Sequence, residues 1–260
     1  MKNDEKTTGR RRVRGIYLLP NLFTVAALFA GFYAIVAATK QHFDMAAMAI
    51  FIAMILDALD GRIARLTHSQ SEFGAQMDSL SDMISFGLSP ALVLYIWSLS
   101  TMGKPGWLAA FFYTVCTALR LARFNSQSQQ SNKRYFQGLA TPAAAGLIAS
   151  IIWVCAEYQI AGHGIALLMT IVTVIVGLLK VSTVRYRSFK DLDVRGKVPF
   201  MVIFIIVLVL MLIAFDPPIV FLVVFSAYVI SGPIETLWGL HKRRLTRRKT
   251  KENKNNGKSS

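Results

Sequence analysis

Cysteine and histidine are scarce in this chain of 260 residues, which has two of the first and four of the second. Cys116 and Cys155 each lie inside an apolar run, which argues against a disulfide framework or a thiolate metal site; both read as core residues. Charge is scarce too, at 17% of residues against 54% hydrophobic. A soluble domain of this size does not carry so much apolar surface, so an integral membrane protein is the class that remains. Acid is the rarest charge, with 14 Asp and Glu against 29 Lys and Arg and a net charge of +15. Taken alone that excess suggests nucleic acid, but the placement of the charges decides otherwise.

A bilayer core of about 30 Å needs roughly 20 helical residues. On that criterion the fold class is all-α, a polytopic membrane bundle with about eight transmembrane helices near 20–39, 43–60, 80–101, 106–123, 138–157, 163–181, 198–215 and 218–238. A basic cytoplasmic segment (1–19) precedes this domain (20–238), and a basic disordered tail (239–260) follows it. Arg10, Arg11, Arg12 and Arg14 before the first apolar run imitate a secretory or twin-arginine signal. Seven further apolar segments favour an uncleaved first span instead. With eight spans, the connections and tails on one side hold 6, 2, 4, 6 and 9 of the 29 Lys and Arg, and the other side holds only Lys40 and Lys104. That asymmetry places both termini in the cytoplasm and lays the basic residues against anionic headgroups of the cell inner or plasma membrane. The tail HKRRLTRRKTKENKNNGKSS has no interleaved aromatics and follows a span, so it reads as lipid-facing, with no nucleic acid partner.

Against this background the stretch DALDGRIARLTHSQSEFGAQMDSLSD (57–82) stands out. Asp57 and Asp60 are spaced i, i+3, and Asp78 and Asp82 are spaced i, i+4, so each pair shares a helix face. Solvated helix ends would account for one such pair; two pairs around a connection with Gly61, Ala64 and Gly74 point to a metal site. An all-carboxylate donor set selects hard cations such as Mg²⁺ or Mn²⁺, and two of them balance four carboxylates and clamp a diphosphate. His68, which belongs to neither periodic set, reads as a solvated loop residue. Gly61, Ala64 and Gly74 allow close approach of a ligand, and Arg65 is placed to meet phosphate oxygens.

The pattern Asp57-x2-Asp60-Gly61-x2-Ala64-Arg65-x8-Gly74-x3-Asp78-x3-Asp82 resembles the signature of the CDP-alcohol phosphatidyltransferases at all eight positions. The resemblance implies that Asp57, Asp60 and Asp78 ligate metal. It makes Asp82 the general base for the acceptor hydroxyl and a further metal contact. Gly61, Ala64, Arg65 and Gly74 would shape the CDP-diacylglycerol pocket. Within the family, LPNLFTVAALFAGFYAI near the N-terminus, ALRLARFN (118–125), YFQGLATPAAAG (135–146) and RYRSFKDLD (185–193) resemble the membrane-spanning phosphatidylserine synthases. On that likeness Asn21 and Thr24 reach the nucleotide or diphosphate, the acceptor is L-serine, and the protein forms a homodimer. Ala140 departs from the pattern, where proline is expected.

Serine is a zwitterion and needs both a cation and hydrogen-bond acceptors. Arg120, Arg123, Asn125, Arg187 and Lys190 lie in the same cytoplasmic layer and are the candidates for binding it, although the four cations serve equally as positive-inside anchors. Pro142 either kinks the fifth span or begins it. Two other functions fit parts of the sequence. One keeps the site and takes glycerol phosphate, inositol phosphate or choline as acceptor. The other is an ion-coupled transporter, which calls for acid near mid-membrane; here the aspartates gather at one end, and Glu157 and Glu235 sit at span ends.

Overall fold

The computed structural model describes residues 18–127, 135–187 and 200–256. Helices α1 (Leu18–Thr39) and α2 (Phe43–Leu66) form a hairpin with the most extensive packing in the molecule. Helix α3 (Glu72–Asp82), a π-helical segment (Met83–Leu88) and α4 (Ser89–Trp97) follow without a break as one rod. Then come α5 (Lys104–Gln127), α6 (Thr141–Glu157), α7 (Ala166–Val181), α8 (Phe200–Phe215) and α9 (Pro217–Asn256).

Every one of the eight apolar segments read from the sequence falls on one of these helical rods. Among the described residues, four rods are long and apolar enough to cross a membrane: Leu19–Thr39, Glu72–Trp97, Gly162–Val181 and Pro217–Thr236. The others fall short for visible reasons. Helices α6 and α8, of 17 and 16 residues, rise only about 24–26 Å at 1.5 Å per residue. Both α2 and α5 carry charges in their last turns: Asp57, Asp60, Arg62 and Arg65 on one, Arg120 and Arg123 on the other.

Three boundaries differ from the sequence reading. The third rod starts at Glu72, not near 80, because Ser71 caps it by accepting the Gly74 N–H at 3.0 Å, with Glu72 in the first turn. Helix α2 runs on to Leu66, so Gly61, Ala64 and Arg65 are helical rather than in a loop, and the chain reverses at His68 with φ of 51°. Helix α9 continues to Asn256 where a disordered tail was expected. Its Lys, Arg, Leu and Glu are good helix formers and extend a helix already nucleated.

The all-α expectation needs one amendment. Strands β1 (Tyr135–Gln137) and β2 (Arg185–Arg187) pair antiparallel, with Tyr135 opposite Arg187 and Phe136 opposite Tyr186. Gly138 then takes φ of +81° and donates its N–H to the Val184 carbonyl. Only glycine adopts that geometry readily. Pro142 lies in the first turn of α6, where its missing N–H costs nothing, so it begins that helix and does not kink it. Ala140 has φ of −59° and ψ of 136°, the backbone that proline would impose.

Small residues let the helices approach closely. Ala30, Ala34, Ala37 and Ala38 of α1 pack with Ala46, Ala47, Ala49, Ile50 and Ala53 of α2, and Ala143–Ala145, Ile148 and Ile152 of α6 complete the core. Such contacts are what association in lipid requires, because apolar burial alone gives no advantage over contact with acyl chains. An aromatic cluster closes the far side: Phe51 of α2 stacks on Phe221 of α9 at 4.6 Å and meets Trp153 of α6 at 5.7 Å. Outward-facing Phe29, Phe32, Ile52 and Leu167 remain exposed, as lipid-facing residues should.

Candidate active site

The four aspartates come from two elements that α1 holds in register. Asp57 and Asp60 occupy the last turns of α2; Asp78 and Asp82 lie two and three turns into the third rod. Ser81 Oγ donates to the Thr24 carbonyl at 3.1 Å, and Ser85 Oγ to the Ala27 carbonyl at 3.1 Å. Ser81, Ser85 and Ser89 recur every four residues, so one face of the third rod is a row of hydroxyls, two of them bonded to the backbone of α1. Gly31 makes the approach feasible, since a Cβ there would lie 2.7 Å from the Ser85 Cα.

Asp57, Asp60 and Asp78 each offer a carboxylate oxygen within 4.8 Å of the others. Asp60 is 4% exposed and accepts a 2.6 Å hydrogen bond from Thr24 Oγ1, whose residue is itself buried. Asp57 also has Asp82 as an electrostatic neighbour. Asp82 Oδ1 is buried and has no partner. Four acids packed so closely, in a setting poor in water, are tenable as anions only if a cation joins them. The donor set is oxygen throughout and three ligands already converge, so the residues fit a hard divalent metal.

Beside the cluster lies a cavity of about 230 Å³ lined by Asn21, Thr24, Gly61, Ala64, Arg65 and Gly74, together with Asp60 and Asp78. Those are the six positions at which the sequence pattern suggested a nucleotide pocket. Gly74 is needed for shape: a Cβ there would sit 3.1 Å from Ser71 Oγ and 3.3 Å from Asn21 Oδ1. Pro20, Ser69, Gln70, Ser71 and Ala75 complete the wall. Ser69, Gln70, Ser71 and Ala75 precede the apolar run near 80 and so fall outside the span expected from hydropathy; the N-cap pattern of Ser71 followed by Glu72 is the signal the sequence offers for them.

The five candidate serine contacts divide. Arg120 is in the electrostatic field of Asp82, donates from one terminal nitrogen to Thr141 Oγ1 at 2.7 Å, and has a buried Nε without a partner. Asn125 Nδ2 donates to Ser79 Oγ at 3.0 Å, one residue from Asp78. Arg123 has a different contact, reaching to 3.5 Å of the Val181 carbonyl at the end of α7. Arg187 pairs through its backbone with Tyr135 in the ribbon, and Lys190 lies outside the described residues. His68 is exposed in its turn, apart from the carboxylates. Lys180, inside the sixth apolar segment, is in the last turn of α7 and only 1% exposed.

A family model for CDP-alcohol phosphatidyltransferases matches residues 17–176. Among curated proteins, a CDP-diacylglycerol–serine O-phosphatidyltransferase of Helicobacter pylori (strain ATCC 700392 / 26695) is 36% identical over 227 residues, covering 87% of this chain and 94% of its own. The enzyme of that name from Methanocaldococcus jannaschii is 32% identical over 179 residues, 69% of this chain and 78% of its own. One from Mycobacterium tuberculosis (strain ATCC 25618 / H37Rv) is 42% identical over 154 residues, 55% of this chain and 53% of its own.

Proposed function

The chain belongs to the CDP-alcohol phosphatidyltransferases, and from that premise we propose that it transfers the phosphatidyl group of CDP-diacylglycerol to the hydroxyl of L-serine, giving phosphatidylserine and CMP. The observation that carries this reading is one cavity whose lining joins six nucleotide-pocket residues to Asp60 and Asp78, two members of the carboxylate cluster. The choice of serine is supported by the names of the relatives.

The cavity of about 230 Å³ is smaller than the roughly 300–1,000 Å³ of pockets that enclose a drug-sized ligand. It suits the polar head of the donor, leaving the acyl chains against outer faces where Leu22, Phe73 and Leu80 are exposed. Asn21, Thr24, Gly61, Ala64, Arg65 and Gly74 receive the cytidine diphosphate, with the Arg65 guanidinium opposing phosphate charge. Asp57, Asp60 and Asp78, with Asp82 as a further contact, would hold Mg²⁺ or Mn²⁺, two ions in all; bound there, the metal supplies charge neutralisation to the diphosphate.

In this reading Asp82 takes the proton. Its unpartnered Oδ1 accepts the proton of the serine hydroxyl as the serine oxygen bonds to the lipid-side phosphorus and the bond from that phosphorus to the CMP oxygen breaks. Among the candidate serine contacts, Arg120 acts electrostatically on Asp82, and Asn125 bonds to Ser79, the neighbour of Asp78. Arg123, Arg187 and Lys190 belong to the wider cytoplasmic layer. The reading includes a homodimer, carried over from the family likeness, and a multi-pass topology with both termini and the site on the cytoplasmic side, which the uneven share of Lys and Arg among the connections supports. Replacing Asp82 with Asn tests the chemistry: donor-induced thermal stabilisation should persist while serine-dependent CMP release disappears. Near-normal CMP release would remove Asp82 from its role.

A further inference from the structure

Lys180 is fully buried near the end of α7, and nothing in the transfer reaction as described uses it. Its Nζ donates to Thr117 Oγ1 at 2.6 Å and stands 3.2 Å from the centroid of the Tyr113 ring, both on α5. An aromatic face beneath the cation and a hydroxyl that donates its own hydrogen bond to the Tyr113 carbonyl form a coherent seat for an ammonium group. Burying a charge is costly, and a methionine would fill similar space without that cost. The charge therefore calls for an explanation.

Its two supports lead to Asp82. Tyr113 Oη donates to the carbonyl of Phe86 at 3.1 Å, and Thr117 packs on Gly87, where a Cβ would come within 3.0 Å of Thr117 Cγ2. Phe86 and Gly87 belong to the π-helical segment that begins immediately after Asp82. Such a segment shifts the helix register and has no strong preference of its own, so outside contacts set where it lies. Thr117 is also one turn before Arg120 on α5.

We infer that Lys180 is a positioning residue for the transfer reaction: seated on Tyr113 and Thr117, its ammonium fixes the π-helical segment behind Asp82. This rests on the assignment of Asp82 as the base.

The test is Lys180→Met in the purified full-length enzyme, with serine-dependent CMP release as the rate and donor-induced thermal stabilisation as the control for folding. The expected result is a kcat lower by about ten- to a hundredfold, the scale of misplacing a reacting group, with the KM for CDP-diacylglycerol and the unfolding midpoint little changed. An unchanged kcat overturns the inference, as does a loss confined to stability or donor binding. If the Met variant does not fold, Thr117→Val, which removes only the acceptor hydroxyl, must show the same kcat-selective loss, and full activity there overturns the inference. Asp82→Asn run alongside separates the claims. A dead Asp82→Asn with a full-rate Lys180→Met removes Lys180 alone, whereas an active Asp82→Asn removes both.

Discussion

Thr24 joins the two acidic helices through two different atoms. Its hydroxyl donates to Asp60 on α2, and its carbonyl accepts from Ser81, the neighbour of Asp82. The sequence pattern placed this residue against the nucleotide; it does line that cavity, but its short contact is with a carboxylate. A hydroxyl that orients a ligand carboxylate tunes the metal as well as the pocket, and loss of such partners costs about 10–100-fold in metal affinity. Thr24→Val should therefore raise the divalent metal concentration needed for half-maximal activity by about that factor. A metal titration that overlays the parent would assign Thr24 to the nucleotide alone. The aspartates themselves were legible because helical spacing pairs them whatever surrounds them. The unpartnered atoms of Asp82 and Arg120 were not, since burial and satisfaction depend on neighbours distant in sequence.

The third rod is where the site and the bundle meet. Its serine-lined face lies so close to α1 that Gly31 has no room for a side chain. Gly31→Val should destabilise the protein by about 1–3 kcal/mol through overpacking, visible as a lower unfolding midpoint in detergent; an unchanged midpoint would mean the two helices separate easily. The entry to α6 gives an opposite expectation. Ala140 already has a proline-like φ, so Ala140→Pro should stabilise by about 0.4–1 kcal/mol through the unfolded chain, and a lower midpoint would show that its N–H is needed. Helix existence could be read from apolar runs, and every expected segment has its rod. Their starts and ends could not, because Ser71 and the polar first turns of the third rod carry little hydropathy. The ribbon and the π-helical segment were also hidden: the first depends on pairing across 50 residues of sequence, the second on contacts from α5.

Across the whole molecule, the proposed topology puts the aspartates and most of the basic residues at one face of the membrane. Lys40 follows α1 on one side of the hairpin, and Leu66 ends α2 on the other. Both positions are exposed, and the two native cysteines are buried, so single-cysteine labelling reads topology against a low background. A membrane-impermeant thiol reagent applied to intact cells should label Lys40→Cys and spare Leu66→Cys. The reverse pattern would put the carboxylates on the outer face and contradict the charge argument. The most direct test of the account is CMP release from CDP-diacylglycerol by the purified protein, with serine, glycerol phosphate, inositol phosphate or choline supplied in turn, before and after divalent metal is chelated. The account predicts release with serine alone, abolished by chelation and restored by Mg²⁺ or Mn²⁺. Release that ignores chelation, or that requires one of the other acceptors, would contradict it.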